Sequence, residues 1–268
     1  MIRQVSKSAR IRRGAAICAA MALTVLTAAC GTNGTSAQNP SSAEPQTLTV
    51  FAAASLEPTF RQLADDFQKQ HPGVTVSLST AGSSDLVSQI AGGAPADVLA
   101  TADEKNMNKA VGQKLITGKP TPFASNVMEI AVAPGNPHRV SGLNDLTSPN
   151  LAVVRCAVPV PCGNVAQSIL DATKITLHPK SEENSVTDVL GKVTSGQADA
   201  GLVYATDIRR SKGKAEGVAI AEAKQFATTY PIAVTTSAKH QKLAKDFIAL
   251  VTSPEGQKVL QNAGFARP

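Results

Sequence analysis

The chain has no tryptophan and only two tyrosines among its 268 residues. Stacking platforms for sugars or nucleobases are therefore poorly supplied. Histidine is scarce as well: His71, His138, His178 and His240 stand in loop-like stretches, and no pair has the spacing of metal ligands. The sequence lacks a P-loop, a GxGxxG turn and a GxSxG nucleophile turn, and its many serines fall in no recognisable catalytic setting. An excess of positive charge is missing too, once the charges are located. Of the 26 basic side chains, five (Arg3, Lys7, Arg10, Arg12, Arg13) lie in residues 1–29, which hold no acid; the remaining 21 face 20 acidic residues. A near-neutral remainder gives nucleic acid no electrostatic footing. The short basic run Arg209, Arg210, Lys212 and Lys214 reads as a solvated face.

No apolar run reaches the roughly 20 residues that span a bilayer. Ala15–Leu26 is shorter, follows the basic stretch, and leads into Thr27-Ala28-Ala29-Cys30. This order of basic, apolar and small residues is that of an export signal over residues 1–29. A Cys directly after small residues resembles the bacterial lipobox, with Cys30 as the lipidated residue; Thr27 departs from that motif, where Leu is usual. Membrane attachment would then be by lipid alone. Within the expected tether 30–46, the residues after Cys30 are Gly, Thr, Asn, Ser, Ala, Pro and Gln with one acid, a flexible composition. Cysteine is sparse: beyond Cys18 and Cys30 only Cys156 and Cys162 remain, six apart in a proline-rich loop. Outside the cytoplasm a disulfide between them is permitted, with two free thiols as the alternative. A zinc or redox site has no second cysteine pair or histidine cluster to support it.

Strand and helix patterns alternate from Thr47 onwards. Thr47–Ala52 is strand-like, and Ser55 stands where a helix N-cap belongs before Leu56, Phe60, Leu63 and Phe67. Val74–Leu78, Val127–Ala133, Leu151–Val154, Ala200–Tyr204 and Pro231–Val234 are further strands, with helices opening near Ser83, Gly163 and Asn184–Ser185. Such alternation argues for an α/β fold of doubly wound, mostly parallel sheets. The last helices carry Leu243, Phe247, Leu260 and Phe265, which suit a return to the first half of the fold. Two lobes joined by two hinge crossovers result: 47–125 and 232–268 form lobe I, and 126–231 forms lobe II.

Small polar residues recur where a strand meets a helix, at Ser55, Gly82-Ser83-Ser84, Pro161-Cys162-Gly163 and Asn184-Ser185-Val186. Helix N-termini carry unpaired N–H groups and roughly half a positive charge, so several aimed at one cleft bind an anion without Lys or Arg. Any one of these serines, taken singly, serves as an ordinary N-cap. Tyr204 ends a strand and can add a phenolic donor; Tyr230, before Pro231, reads as a packing residue. Asp97 and Asp103 read as carboxylates that hold neighbouring backbone. Asp85 would upset a donor-only site if it turned inward, and Arg155 is the candidate partner for an organic carboxylate.

Six stretches taken together resemble the extracytoplasmic molybdate-binding proteins of ABC transporters. They are Val50-Phe-Ala-Ala-Ala-Ser-Leu56, Gly82-Ser-Ser-Asp-Leu86, Gln89-Ile-Ala-Gly-Gly-Ala-Pro-Ala-Asp-Val98, Val160-Pro-Cys-Gly163, Gly201-Leu-Val-Tyr-Ala-Thr-Asp207 and Tyr230-Pro-Ile-Ala-Val234. The resemblance implies a two-lobed, hinge-closing periplasmic-binding-protein fold that holds a tetrahedral dianion with neutral donors. Ser55 and Ser83 would each give a hydroxyl and a backbone N–H, Cys162 and Val186 backbone N–H groups, and Tyr204 its hydroxyl. Cys162 stands where the family usually has a small residue, and a bond to Cys156 would preorganise its N–H. The implied ligand is molybdate or tungstate and the implied partner an ABC import permease. A monomer is expected, with no cofactor, no bound metal cation and no catalysis. A receptor for sulfate, thiosulfate or a carboxylate is the near alternative, and an exported hydrolase the distant one.

Overall fold

Ten strands and eight α-helices are arranged in two sheets in a computed structural model that describes residues 46–268. The expected signal segment 1–29, Cys30 and the tether up to residue 45 lie outside the described residues. The chain runs β1 (Gln46–Ala53), α1 (Glu57–Gln70), β2 (Val74–Ala81), α2 (Ser83–Ala91), β3 (Val98–Ala100), α3 (Glu104–Gly112), β4 (Ile116–Asn126) and β5 (Met128–Val132). It continues as β6 (Val153–Cys156), α4 (Pro161–Thr173), β7 (Ser181–Glu183), α5 (Val186–Thr194), β8 (Ala200–Tyr204), α6 (Ala205–Arg210), β9 (Glu216–Ala219), β10 (Thr228–Thr235), α7 (Gln241–Thr252) and α8 (Pro254–Asn262). No helix among the described residues is long and apolar enough to cross a membrane.

The first sheet has the order β2-β1-β3-β10-β4 and the second β7-β6-β8-β5-β9. In each, four strands share one direction and a single strand, β10 or β5, is reversed between its neighbours. The expected mostly parallel α/β arrangement is therefore what forms. Helical crossovers supply the parallel pairs. The reversed strands sit where the chain passes between sheets: β4 leads through Val127 directly into β5, and β10 brings the chain back. Pro231 cannot donate to a ladder, and β10 tolerates it at a register shift between Tyr230 and Pro231.

The first sheet buries Leu48, Val50 and Ile232 against α1, α7 and α8. Three phenylalanines seal that layer, Phe247 lying 5.9 Å from Phe60 and 5.4 Å from Phe67 between ring centroids in edge-on contacts. Each buried ring contributes about 1.5–3 kcal/mol by leaving water. Phe247, Leu260 and Phe265 pack in this same core, so the last helices return to the first sheet. The second sheet has its own core, centred on Val153, Ile169, Val189 and Leu202.

Candidate functional site

Five strands of common direction within their sheets, β1, β2, β6, β7 and β8, each lead into a helical turn. Ala54–Leu56 is a tight 3-10 turn ahead of α1; Gly82 precedes α2; Val160 and Ser185 precede α4 and α5; Tyr204 precedes α6. Binding sites of open α/β sheets lie at such strand ends. Ser55, Ser83, Cys162, Val186 and Tyr204 all line one small cavity, together with small apolar residues and Gly82. The first two come from the first sheet and the other three from the second. The cavity is small, about 10 Å³, far below the roughly 300–1,000 Å³ of organic ligand pockets. Its lining contains no Lys, Arg, His, Asp or Glu.

Two of the serines are not the caps that the sequence suggests. Neither the turn at Ser55 nor α2 has a side-chain cap bond, and Ser83 is the first residue inside its helix. Ser83 Oγ instead accepts from the Ala102 N–H at 3.0 Å, which leaves its proton for the cavity. Ser55 Oγ lies 3.1 Å from Tyr230 Oη. Ser185, by contrast, is a true cap and accepts from Asp188 N. The N–H groups of Ser55, Ser83, Cys162 and Val186 occupy first-turn positions without intrahelical partners, and none of them takes part in the turn and cap hydrogen bonds of the described residues.

Tyr204 is only 1 % exposed, and its hydroxyl makes no hydrogen bond. A buried unpaired hydroxyl costs about 1–3 kcal/mol, so a partner is due to it. Burial, reinforced by nearby Tyr230, drives its pKa well above that of an ordinary phenol, so it stays a donor. Its backbone is fixed by Asp207, buried at the start of α6, which accepts from Tyr204 N at 2.9 Å and pairs with Arg210 at 2.8 Å. Burial raises the Asp207 carboxyl, with the Arg210 guanidinium opposing.

The disulfide Cys156–Cys162 is formed, tying the end of β6 to the first turn of α4. The two sheets' elements also meet directly. Lys105 Nζ donates to Asn164 Oδ1 at 2.8 Å, and Asn126 Nδ2 donates to Thr206 Oγ1 at 2.8 Å. Gly82 abuts Asn184 so closely that an added Cβ would overlap the Asn184 carbonyl oxygen.

The remaining candidates fall outside the cavity. Arg155 is nine-tenths buried and engaged by Glu182 and Gln167, so it is not available to a carboxylate ligand. Asp85 lines an outer groove and not the inner cavity. Asp97 accepts from the N–H groups of Thr49, Lys239 and His240, and Asp103 caps α3. A wider groove of about 470 Å³, lined by Arg209, Arg210 and Lys212, shares Ser55 with the cavity; it is open and lacks the helix starts of α2, α4 and α5. Tyr230 contacts Ser55 and is itself reached by Asn126, which also bonds Thr206; Tyr230 and Thr206 lie in two of the family-like stretches but were given no site role, and Asn126 lies in none.

The sequence profile of the bacterial extracellular solute-binding protein family matches residues 48–266. The molybdate-binding protein ModA of Mycobacterium tuberculosis H37Rv is 44% identical over 241 residues, covering 90% of this chain and 92% of its own. ModA of Escherichia coli K12 is 33% identical over 233 residues, 81% of this chain and 88% of its own. The fold matches the periplasmic molybdate-binding protein of Azotobacter vinelandii with a TM-score of 0.71 and 23% identity, over 82% of this chain and 99% of that one. With a family profile spanning nearly all the described residues, the chain belongs to the bacterial extracellular solute-binding proteins.

Proposed function

We propose that this protein is an extracytoplasmic receptor that captures molybdate, and tungstate of nearly the same size, and delivers it to an ABC import permease. The observation that carries the ligand class is the unpartnered Tyr204 hydroxyl in a small cavity lined with donors and devoid of charged side chains. Relatives at 44% and 33% identity bear the name molybdate-binding protein, which supports the choice of ion. In this reading Ser55 and Ser83 give hydroxyl and backbone donors, Cys162 and Val186 backbone N–H groups, and Tyr204 its phenol. A donor-only site favours a fully ionised dianion. Inorganic phosphate differs: even as its dianion, hydrogen phosphate, it keeps a third proton, and no carboxylate lines the cavity to accept it.

The two sheets are the cores of two lobes, with hinges near Asn126–Val127 and ahead of β10. The anion bridges helix starts from both lobes, and its higher affinity for the closed form shifts the population toward closure. Export by residues 1–29 and attachment through a lipidated Cys30 would hold the receptor beside the permease as a monomer. It acts by binding and release, with no catalytic step.

Calorimetric titration of residues 47–268 with molybdate, tungstate, sulfate and phosphate at neutral pH tests this reading. Tight binding of the first two with the others silent is the expected result. Heat from sulfate or phosphate alone overturns the ligand, and silence from all four overturns the oxyanion site.

A further inference from the structure

Ser55 Oγ and Tyr230 Oη lie 3.1 Å apart, and in isolation either could donate. Their neighbours remove that freedom. The Val127 N–H donates to Asn126 Oδ1 at 3.0 Å, which fixes the amide's orientation, because a flipped amide would set two donors face to face. Asn126 Nδ2 is a donor without acceptor capacity, and it reaches Thr206 Oγ1 at 2.8 Å and Tyr230 Oη at 3.3 Å. Tyr230 therefore accepts from Asn126 and has one proton to give. Tyr204 Oη takes part in no hydrogen bond, so that proton goes to Ser55 Oγ. Ser55 is thereby an acceptor toward Tyr230, and its own single proton is turned into the cavity it lines. Asn126 is 4 % exposed and Tyr230 fully buried, so water does not compete for these bonds.

We propose that Asn126 and Tyr230 are specificity-determining positioning residues, forming a one-way hydrogen-bond relay that locks the Ser55 hydroxyl as a donor to a fully deprotonated tetrahedral oxyanion. The proposal rests on the oxyanion reading of the cavity and deepens it. Neither residue touches the ion; both act by denying Ser55 the role of acceptor. Ser83 is held the same way by the Ala102 N–H. With both serine hydroxyls fixed as donors, a protonated oxyanion finds no acceptor in either serine, and discrimination by polarity acts before size is considered. The relay also links the ends of β4 and β10 to α6 through Thr206, so it is complete only when elements of both sheets are together.

The test is a double-mutant cycle with a selectivity readout, using molybdate and phosphate as probes at pH 8.5. Tyr230→Phe in the wild-type background is expected to weaken molybdate binding by about five- to tenfold, the range of one lost hydrogen bond. In a Ser55→Ala background the same substitution should change affinity by less than about twofold, since it acts only through Ser55. Asn126→Asp keeps size but replaces the donor with an acceptor. Tyr230 then donates to the carboxylate and Ser55 to Tyr230, which leaves the Ser55 lone pair facing the ion. Molybdate affinity should fall by more than about tenfold, and hydrogen phosphate should become a detectable ligand. An equal Tyr230→Phe cost in both backgrounds overturns the relay, as does an Asn126→Asp variant with unchanged molybdate-to-phosphate selectivity. If Asn126→Asp does not fold, the cycle decides alone. Failure of the wild type to bind molybdate would instead overturn the oxyanion reading, which the same titrations reveal separately.

Discussion

Tyr204 is the residue where structure and function pull apart. Its unpaired hydroxyl is a cost to the protein without ligand and, in the proposed site, a gain once an anion accepts from it. Tyr204→Phe removes the cost along with the donor, so thermal stability without ligand should stay level or rise. Molybdate affinity should fall by about tenfold or more, since a hydrogen bond to a charged group is worth about 1.5–3 kcal/mol. Thermal melts paired with titrations check both signs, and a variant that loses stability while keeping affinity would return Tyr204 to the role of core aromatic. Tyr204 was legible in the sequence because it ends a strand in a chain with no Trp and only two Tyr. Tyr230 was not. Followed by proline, it reads as packing, and only the fold brings its hydroxyl to Ser55 across 175 residues. Asn126 was invisible for the same reason, its partners lying 80 and 104 residues away.

At the scale of elements, the strand-to-helix junctions were readable because Ser and Gly at those points have a local cause. Their use was only half readable: Ser55 and Ser83 look like caps, but the hydroxyls are spent on Tyr230 and Ala102. β4 escaped detection, since its Gly118, Pro120 and Pro122 contradict strand preference, and only pairing with β10 holds it extended. β10 begins at Thr228, three residues before the strand expected from Pro231, because a register shift accommodates the missing N–H. Gly82 carries a demand that no local pattern expresses. Its φ of −59° suits any residue, yet a Cβ there would meet the Asn184 carbonyl. Gly82→Ala should leave each sheet intact while keeping the start of α2 from Asn184. Molybdate affinity is expected to drop by about tenfold or more for a loss of roughly 1.4 kcal/mol or greater, with the circular dichroism spectrum unchanged. Wild-type affinity in this variant would show that the close approach is not needed for capture.

Across the whole molecule, the alternation of strands and helices gave the class of fold, and the near-neutral balance beyond residue 29 excluded the nucleic-acid reading. The convergence of both halves on one cavity, with donors from each, was also expected, and Ser55, Ser83, Cys162, Val186 and Tyr204 do meet there; what local pattern does not express is the path by which the chain brings them together. That convergence depends on two passages of the chain between sheets, through Val127 and into β10, and both passages are flanked by members of the Asn126–Tyr230 relay.

The uncharged lining of the cavity has a bookkeeping consequence for protons. Tyr204 remains protonated because burial holds its pKa far above neutrality, and no other side chain lining the cavity ionises. Capture of a dianion that is itself fully ionised should then neither take up nor release a proton. The heat of binding should be identical in buffers of widely different ionisation enthalpy, and affinity should be level from about pH 7 to 9. A buffer-dependent heat would expose a titrating group that the cavity conceals. If the exchange is proton-silent, acidification cannot loosen the cargo, and in the receptor reading proposed above release falls to separation of the lobes.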